Sequence, residues 1–166
     1  MLDPPGAMYE EALRSRVQPE RFHGRVLLTP FVHDMQSAYS AADVVVARAG
    51  AITCSELAAT ASAAVLVPSP NVTDDHQTAN ARAMAQRGAA VLLREGELGG
   101  AKRGDGLARE VSRLLSDQGA RRRLREAAGR MGADAASASE KVADIVIELA
   151  GASCGGTATA TMASSL

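Results

Sequence analysis

Four short apolar runs, separated by segments of helical character, constrain this fold more than any other feature of the sequence. They cover residues 25–31, 43–48, 63–68 and 89–95, and each is nearly continuous in apolar residues. Such runs are typical of strands in a parallel sheet that is covered on both faces, and the segments between them can form the crossover helices. The order of elements therefore predicts an α/β fold, a Rossmann-like parallel sheet with helices on both faces.

Capping signals and apolar periodicity predict the helices. Asp34 is a candidate N-cap for the segment that follows it, and residues 51–60 form an alanine-rich helix. A further helix over 75–87 ends at Gly88, which suits a C-terminal cap. Three later stripes at helical spacing are expected to pack in the core rather than to contact a cofactor. They are Leu107, Val111, Leu114 and Leu115; Leu124, Ala127, Ala128 and Met131; and Val142, Ile145, Val146 and Leu149.

The composition suits one globular domain. A chain of 166 residues with 46% hydrophobic content can form one core, which we place in residues 1–150. Residues 151–166 have low complexity and are expected to form a disordered tail, while 96–106 form a loop rich in glycine and charge. The net charge of −1 gives no electrostatic reason to expect nucleic acid, and the arginine cluster within 121–125 is interpreted as a solvated helix face.

Cysteine usage and hydropathy predict the compartment. The two cysteines, Cys54 and Cys154, have no partners at metal-ligand spacing, and this usage suits a reducing environment. No apolar run approaches the ~20 residues that a transmembrane helix needs, and the first residues lack the pattern of a secretory signal. A cytosolic or stromal protein is therefore expected.

The first candidate site follows the second apolar run, because ligands of open parallel sheets bind beyond the carboxyl ends of the strands. Gly50 permits a tight turn there and a close approach of ligand to backbone, and the N–H groups at the start of the next helix favour an anion such as a pyrophosphate. Thr53 can add a hydroxyl, and the Glu56 carboxylate can hold a ribose diol. The alternative is structural: Gly50 ends a loop, and Glu56 is an acid favoured by the helix dipole.

The second candidate site follows the third apolar run. His76, Gln77 and Asn80 are spaced to share one helix face, and amides can read the donors and acceptors of sugar hydroxyls. A structural alternative is equally open here. Asp74 and Gln77 match the spacing of a capping box, which would bind Gln77 to its own backbone.

The third candidate site, residues 29–35, follows the first apolar run. Its backbone N–H and C=O groups could pair with the edge of a planar base such as uracil. His33 could act as a base, but a lone loop histidine more often faces solvent. No nucleophilic triad or carboxylate pair can be assembled from the sequence, so we assign no catalytic residue.

Four segments taken together carry a resemblance to a known family. They are FVHDM, AYSAADVVVARAGAITCSELAA, AVLVPSPNVTDDHQTANA and MAQRGAAVLL, within residues 8–150. In this order they resemble the C-terminal, donor-binding domain of the MurG-type N-acetylglucosaminyltransferases, which have the two-domain GT-B fold of glycosyltransferase family 28. The resemblance implies that UDP-GlcNAc is the donor substrate and that no metal is needed to bind it. The absence of an Asp-x-Asp pair agrees with that implication.

The resemblance also implies roles for individual residues. The backbone of Val32 would contact uracil, Ile52 and Thr53 would contact the pyrophosphate, and Glu56 would hold the ribose. His76, Gln77 and Asn80 would lie against the GlcNAc. The turn of this family that shapes the loop corresponds to Arg48, Ala49, Gly50 and Ala51.

The sequence departs from the family pattern in two motifs. Ala61-Ser62-Ala63 replaces the usual Gly-Leu-Pro, and His76 stands where some members have glutamine. The chain is also expected to lack the N-terminal domain, which in the family carries the catalytic base, the lipid-linked acceptor site and the membrane-facing surface. We therefore expect a donor-binding half that is inactive alone, with the full enzyme peripheral at the inner face of the plasma membrane, or in the stroma of a plastid.

Two other functions are compatible with these motifs. The chain could be the donor-binding subunit of a split GlcNAc transferase, active only with a separate membrane-bound partner that binds a lipid-linked sugar. It could also be a nucleotide-sugar epimerase of related fold, although the pattern NVTDDHQTANA disfavours that function.

Overall fold

A computed structural model describes residues 25–70, 75–98 and 104–153 of the chain. The chain divides into two compact units, Met1–Ala42 and Asp43–Leu166. Within the first unit, helix α1 spans Met35–Ala41 and buries Tyr39. The Oδ1 atom of Asp34 accepts a hydrogen bond of 2.9 Å from the Ser37 backbone N–H, which confirms Asp34 as the N-cap.

The strand predicted over residues 25–31 is wrong. These residues have no assigned secondary structure, and the side chains of Leu27 and Phe31 are 87% and 66% exposed. An apolar run forms a strand only when a neighbouring backbone completes its hydrogen-bond ladder. Pro30 also lacks the N–H that such a ladder would use.

The second unit contains a parallel sheet of three strands, which confirms the predicted fold class. The strands are β1 (Val45–Ala47), β2 (Ala64–Leu66) and β3 (Val91–Leu92), in that spatial order. Both pairings are parallel, with Val46 opposite Val65 and Leu66 opposite Leu92. Helix α2 (Ala51–Ala59) connects the first pair and helix α3 (His76–Gln86) connects the second, so each crossover is a βαβ unit.

Burial differs between the central strand and the outer strands. All three residues of β2 are fully buried, whereas Val46 in β1 is 45% exposed and both residues of β3 are half-buried. A central strand is covered on both edges and both faces, but an outer strand keeps one free edge. The prediction of strands buried on both faces is therefore confirmed for β2 alone, and each strand is shorter than the apolar run that predicted it.

Helix α3 ends as predicted. Gly88 has φ +70°, a conformation that favours glycine, and its N–H donates to the Ala85 carbonyl. The N–H of Ala89 donates to the carbonyl of Met84. This pair of bonds closes the last turn and satisfies carbonyls that the helix leaves unpaired, which confirms Gly88 as the C-terminal signal.

Two further helices complete the described part of the second unit. A short 3₁₀ turn, Glu95–Glu97, follows β3, and then come α4 (Asp105–Ser116) and α5 (Gln118–Ser153). Leu114 and Ala120 are buried against Val65, so these helices share the core of the sheet. The predicted loop therefore ends at Gly104, with residues 99–103 outside the described ranges. The predicted tail begins after Ser153 at the earliest, and residues 154–166, with Cys154, also lie outside them.

Helix α5 packs closely on α2 through a glycine. A Cβ atom at Gly132 would lie 2.6 Å from the carbonyl oxygen of Ala58, which is too short for a real contact. The neighbouring Gly129 is less restricted, since its Cβ would lie 3.4 Å from that of Ala61. Gly132 therefore allows the two helix backbones to approach each other directly.

Two of the predicted apolar stripes agree with the structure, and one does not. Leu107, Val111 and Leu124 pack against the core cluster, and Ala127 and Ala128 are buried. The last stripe is exposed: Val142, Ile145, Val146 and Leu149 are 55–66% exposed, and Leu115 of the first stripe is 52% exposed. Helical spacing predicts which side chains share a face, but it carries no information about whether another element covers that face.

The arginine cluster is only partly a solvated face. Arg122 and Arg123 are exposed and pair with Glu126 and Asp117 at 3.6 and 3.9 Å. Arg121 is different, because its side chain is only 17% exposed and its Nη1 donates to the carbonyls of Leu114 and Leu115. Arg121 thus satisfies carbonyls at the C-terminal end of α4.

Candidate functional site

The candidate site lies in the second unit, where the three parallel strands end. The turn 48–50 follows β1, residues 67–70 follow β2 and residues 93–95 follow β3. Because the strands are parallel, their carboxyl ends lie on the same side of the sheet. Side chains of these segments and of α3 connect the three segments with one another.

The start of α2 has unpaired backbone donors. Its N-cap is Gly50, without a side-chain capping bond, and the first helical bond runs from the Cys54 N–H to the Gly50 carbonyl at 2.9 Å. The N–H groups of Ala51, Ile52 and Thr53 therefore precede the hydrogen-bond ladder of the helix. Ala51 and Ile52 are exposed, and Ile52 is 77% exposed. This geometry, with the positive end of the helix dipole, suits an anion.

The prediction that the turn at residue 50 requires glycine is wrong. Its φ of −64° and ψ of 151° are available to any residue, so the turn itself does not require glycine. A Cβ atom there would meet only the Thr53 Oγ1, at 3.8 Å. The access that glycine gives to the backbone remains a prediction.

Arg48 connects the ends of all three strands. Its Nη1 donates to the carbonyls of Val67 and Pro68, at 3.2 and 3.1 Å, and lies 3.1 Å from the Glu95 Oε2. Both charged side chains are about half exposed, so solvent weakens the ion pair and the carbonyl contacts matter for geometry. Arg48 therefore links the turn after β1 to the segments after β2 and β3.

The two amides of α3 also bind these segments. The Oε1 atom of Gln77 accepts a hydrogen bond of 2.9 Å from the Ser69 N–H, and the Nδ2 of Asn80 donates to the Ala49 carbonyl at 3.1 Å. The N-cap of α3 is Asp75, with φ 52°, whereas Asp74 lies outside the described residues. Gln77 is thus bound to the end of β2, and the capping-box alternative, which pairs it with Asp74, lies outside the described residues.

The other predicted site residues occupy different surroundings. Glu56 lies one turn beyond Thr53 in α2 and is half-buried, while His76 is exposed at the first position of α3. Val32 belongs to the first unit, where it precedes α1 and is 36% exposed. In that unit the ring of His33 packs edge-on against Phe31, with 4.9 Å between centroids. The second unit thus brings together the Arg48 turn, the end of β2 and the first turns of α3.

Sequence reasoning missed several charged residues at this edge of the sheet. An open pocket of about 370 Å³ lies at the ends of β2 and β3. Its charged lining residues are Asp75, Arg82, Arg94 and Glu95. Arg94 and Glu95 are the last two residues of the fourth apolar run, and this position was the available signal. The described ranges contain no cluster of three or more His, Cys, Asp or Glu side chains placed to hold a metal ion.

The whole-chain comparison decides the family. The glycosyltransferase family 28 C-terminal domain matches residues 8–146, which is most of the sequence and includes every candidate segment. The chain belongs to this family. The parallel sheet with its crossover helices is consistent with the Rossmann-like half of a GT-B fold.

Curated relatives and a solved structure agree with this family 28 assignment. The chain is 39% identical over 145 residues to a UDP-N-acetylglucosamine--N-acetylmuramyl-(pentapeptide) pyrophosphoryl-undecaprenol N-acetylglucosamine transferase from Anaeromyxobacter sp. (strain Fw109-5), covering 85% of this chain and 36% of that protein. The equally named protein of Myxococcus xanthus (strain DK1622) is 40% identical over 139 residues, covering 84% and 34%. The crystal structure of Acinetobacter baumannii MurG is 37% identical with a TM-score of 0.51, covering 64% of this chain and 28% of that one.

The chain spans about a third of the length of these curated relatives. Among the ranges 25–70, 75–98 and 104–153, no helix has the length and hydropathy needed to cross a membrane.

Proposed function

We propose that this chain is the UDP-GlcNAc-binding half of a transferase that adds N-acetylglucosamine to undecaprenyl-pyrophosphoryl-N-acetylmuramoyl-pentapeptide. The start of α2 carries this proposal: unpaired backbone N–H groups face outward directly after β1, and Glu56 lies one turn further along. The activity for which the relatives are named supports the choice of donor and acceptor.

Three parts of the donor have proposed partners in the second unit. The N–H groups of Ile52 and Thr53 bind the diphosphate, and the carboxylate of Glu56 accepts hydrogen bonds from the ribose diol. His76, Gln77 and Asn80 lie on the first turns of α3 and contact the sugar.

The chemistry divides between this half and the remainder of the enzyme. In an inverting transfer, a base activates the acceptor hydroxyl while the diphosphate leaves with the donor's anomeric bond electrons. The start of α2 stabilises the charge that develops on the diphosphate, because its dipole and N–H groups are already oriented before the reaction. We place the base, the acceptor site and a peripheral contact with the cytoplasmic membrane face in the rest of the enzyme, and propose no metal for donor binding.

Isothermal titration calorimetry of the chain with UDP, UDP-GlcNAc and UDP-GalNAc tests this proposal. We expect UDP to bind, UDP-GlcNAc to bind more tightly than UDP, and Glu56→Ala to weaken UDP by about 1–3 kcal/mol through the lost charged hydrogen bonds. Glu140→Ala removes the same charge from an exposed position on α5 and serves as the control. Absence of UDP binding by the folded chain would contradict the proposal, and an unchanged affinity of Glu56→Ala would remove Glu56 from the ribose role.

A further inference from the structure

We propose that Asn80 is a positioning residue for the turn 48–50, and that through this turn it controls affinity for the diphosphate part of the donor. This inference rests on the proposed function and goes beyond it, because a residue that only contacts the sugar would not affect binding of UDP. It concerns the second unit alone.

The contact joins two segments that are distant in sequence. The Nδ2 of Asn80 donates to the Ala49 carbonyl at 3.1 Å, across 31 residues. Ala49 is fully buried, and a buried carbonyl oxygen is costly to leave without a donor. The bond therefore attaches α3 to the turn at the residue just before the N-cap of α2.

The position of Ala49 explains why this bond affects the diphosphate site. Its neighbour Gly50 begins α2, and the unpaired N–H groups of Ile52 and Thr53 follow within one turn. Gly50 has no side-chain capping bond that would fix this start locally. The direction of the donors thus depends on contacts made by the turn, and small displacements of such donors weaken binding strongly.

The other contacts of the site act on different segments. Arg48 reaches forward from the turn to the Val67 and Pro68 carbonyls, and Gln77 binds the Ser69 N–H after β2. Neither contact reaches the Ala49 carbonyl. Asn80 is the α3 side chain that supports the turn itself, so its substitution affects the diphosphate site differently from that of Gln77.

Two variants of Asn80 test the inference by calorimetry with UDP and UDP-GlcNAc. Asn80→Ala removes the donor and is expected to weaken both ligands by about 10-fold. Asn80→Asp keeps the shape but places an acceptor against the Ala49 carbonyl, so the loss is expected to be larger. Gln86→Glu adds the same charge at an exposed position on α3 and is expected to bind UDP as the parent chain does.

A change of pH distinguishes positioning from a general structural defect. Once protonated, the carboxyl group of Asn80→Asp can again donate to the Ala49 carbonyl. Partial burial and the facing carbonyl oxygen disfavour the carboxylate, so we expect the affinity of this variant for UDP, relative to the parent chain, to recover as the pH falls from about 7.5 towards about 4. The charged and titratable groups on the elements around Asn80 are present in both proteins, so the parent chain at each pH is the reference. They are Arg48, Glu56, Asp75, His76, Arg82 and Glu95. Asn80→Ala is expected to show no recovery.

Hydrogen exchange without ligand provides a second measurement. Backbone amides of residues 49–54 are expected to exchange faster in Asn80→Ala than in the parent chain, while those of β2 are unchanged. If both variants lose affinity for UDP-GlcNAc but bind UDP normally, the positioning role is wrong and the proposed function stands. If the folded parent chain binds no UDP, the proposed function itself fails, whereas unchanged exchange at residues 49–54 rejects the positioning role alone.

Discussion

The backbone N–H groups at the start of helix α5 are capped by a side chain, and those at the start of helix α2 are not. At α5, the Oδ1 of Asp117 accepts a hydrogen bond of 2.8 Å from the Ala120 N–H. At α2, the N-cap is Gly50, which has no side chain to do this, although its φ and ψ would suit an aspartate or asparagine. A side chain therefore caps the start of α5, whereas the start of α2 has no such cap, as is also true of α3 and α4.

The position of each start explains the difference. The α2 helix begins at the carboxyl end of β1, where ligands of parallel sheets bind, while α5 begins directly after α4. An internal cap at α2 would compete with an anion for the same N–H groups. An open helix start is thus informative when its position in the sheet, and not only its geometry, favours a ligand.

A side chain that caps α2 should weaken UDP binding more than any other change considered. Gly50→Asp is expected to lower UDP affinity by about 100-fold, since the carboxylate both accepts the free N–H groups and repels the diphosphate. Gly50→Asn caps without charge, and we expect it to reduce affinity by about 10-fold. Calorimetry with UDP measures both effects.

Two further measurements make this prediction specific. Thermal unfolding should show that both Gly50 variants are at least as stable as the parent chain, because they gain a capping bond. Ala138→Asp adds the same charge to an exposed position on α5 and should bind UDP normally. Parent-like binding of UDP by Gly50→Asp would show that the start of α2 does not hold the diphosphate.

A second prediction tests whether α2 is held rigidly at its other end. Gly132→Ala would place a methyl group 2.6 Å from the Ala58 carbonyl, so we expect it to destabilise the protein by about 2 kcal/mol. Gly129→Ala, three residues earlier on the same helix, makes an ordinary contact and is expected to be neutral or stabilising by up to about 1 kcal/mol. Urea unfolding of the pair checks the difference. Equal stabilities would show that α2 and α5 do not pack as closely as described.

Local signals in the sequence predicted the parts of the fold that local physics determines. The capping role of Asp34, the C-terminal signal of Gly88 and the βαβ order were confirmed. Errors arose where the outcome depends on a distant partner. The run 25–31 has strand composition without a strand assignment, and the stripe that contains Ile145 has helical spacing without burial.

The candidate site shows the same limit. Its location followed from the rule for parallel strands, and the motifs of the family supplied the residues. The sequence could not show that the amides of Gln77 and Asn80 bind the backbone of residues 69 and 49, because these contacts depend on how α3 lies across the strand ends. It also gave no indication that Glu95 pairs with Arg48, 47 residues away.

The cap that Asp117 forms at the start of α5 should contribute a small stabilisation, and the pH dependence of that stabilisation has a definite sign. The pKa of Asp117 is lowered, chiefly because the Ala120 N–H donates to its carboxylate. A lowered folded pKa means that this stabilisation is complete above the ordinary value of ~3.9 and is lost as pH falls through the folded value.

Asp117→Ala should therefore lower Tm at about pH 7, with a difference from the parent chain that shrinks below about pH 4. Asp117→Asn keeps an acceptor and should stay closer to the parent. Thermal unfolding across this range measures both variants. A Tm difference that does not depend on pH would show that the carboxylate of Asp117 does not cap α5, and the contrast with the uncapped start of α2 would then fail.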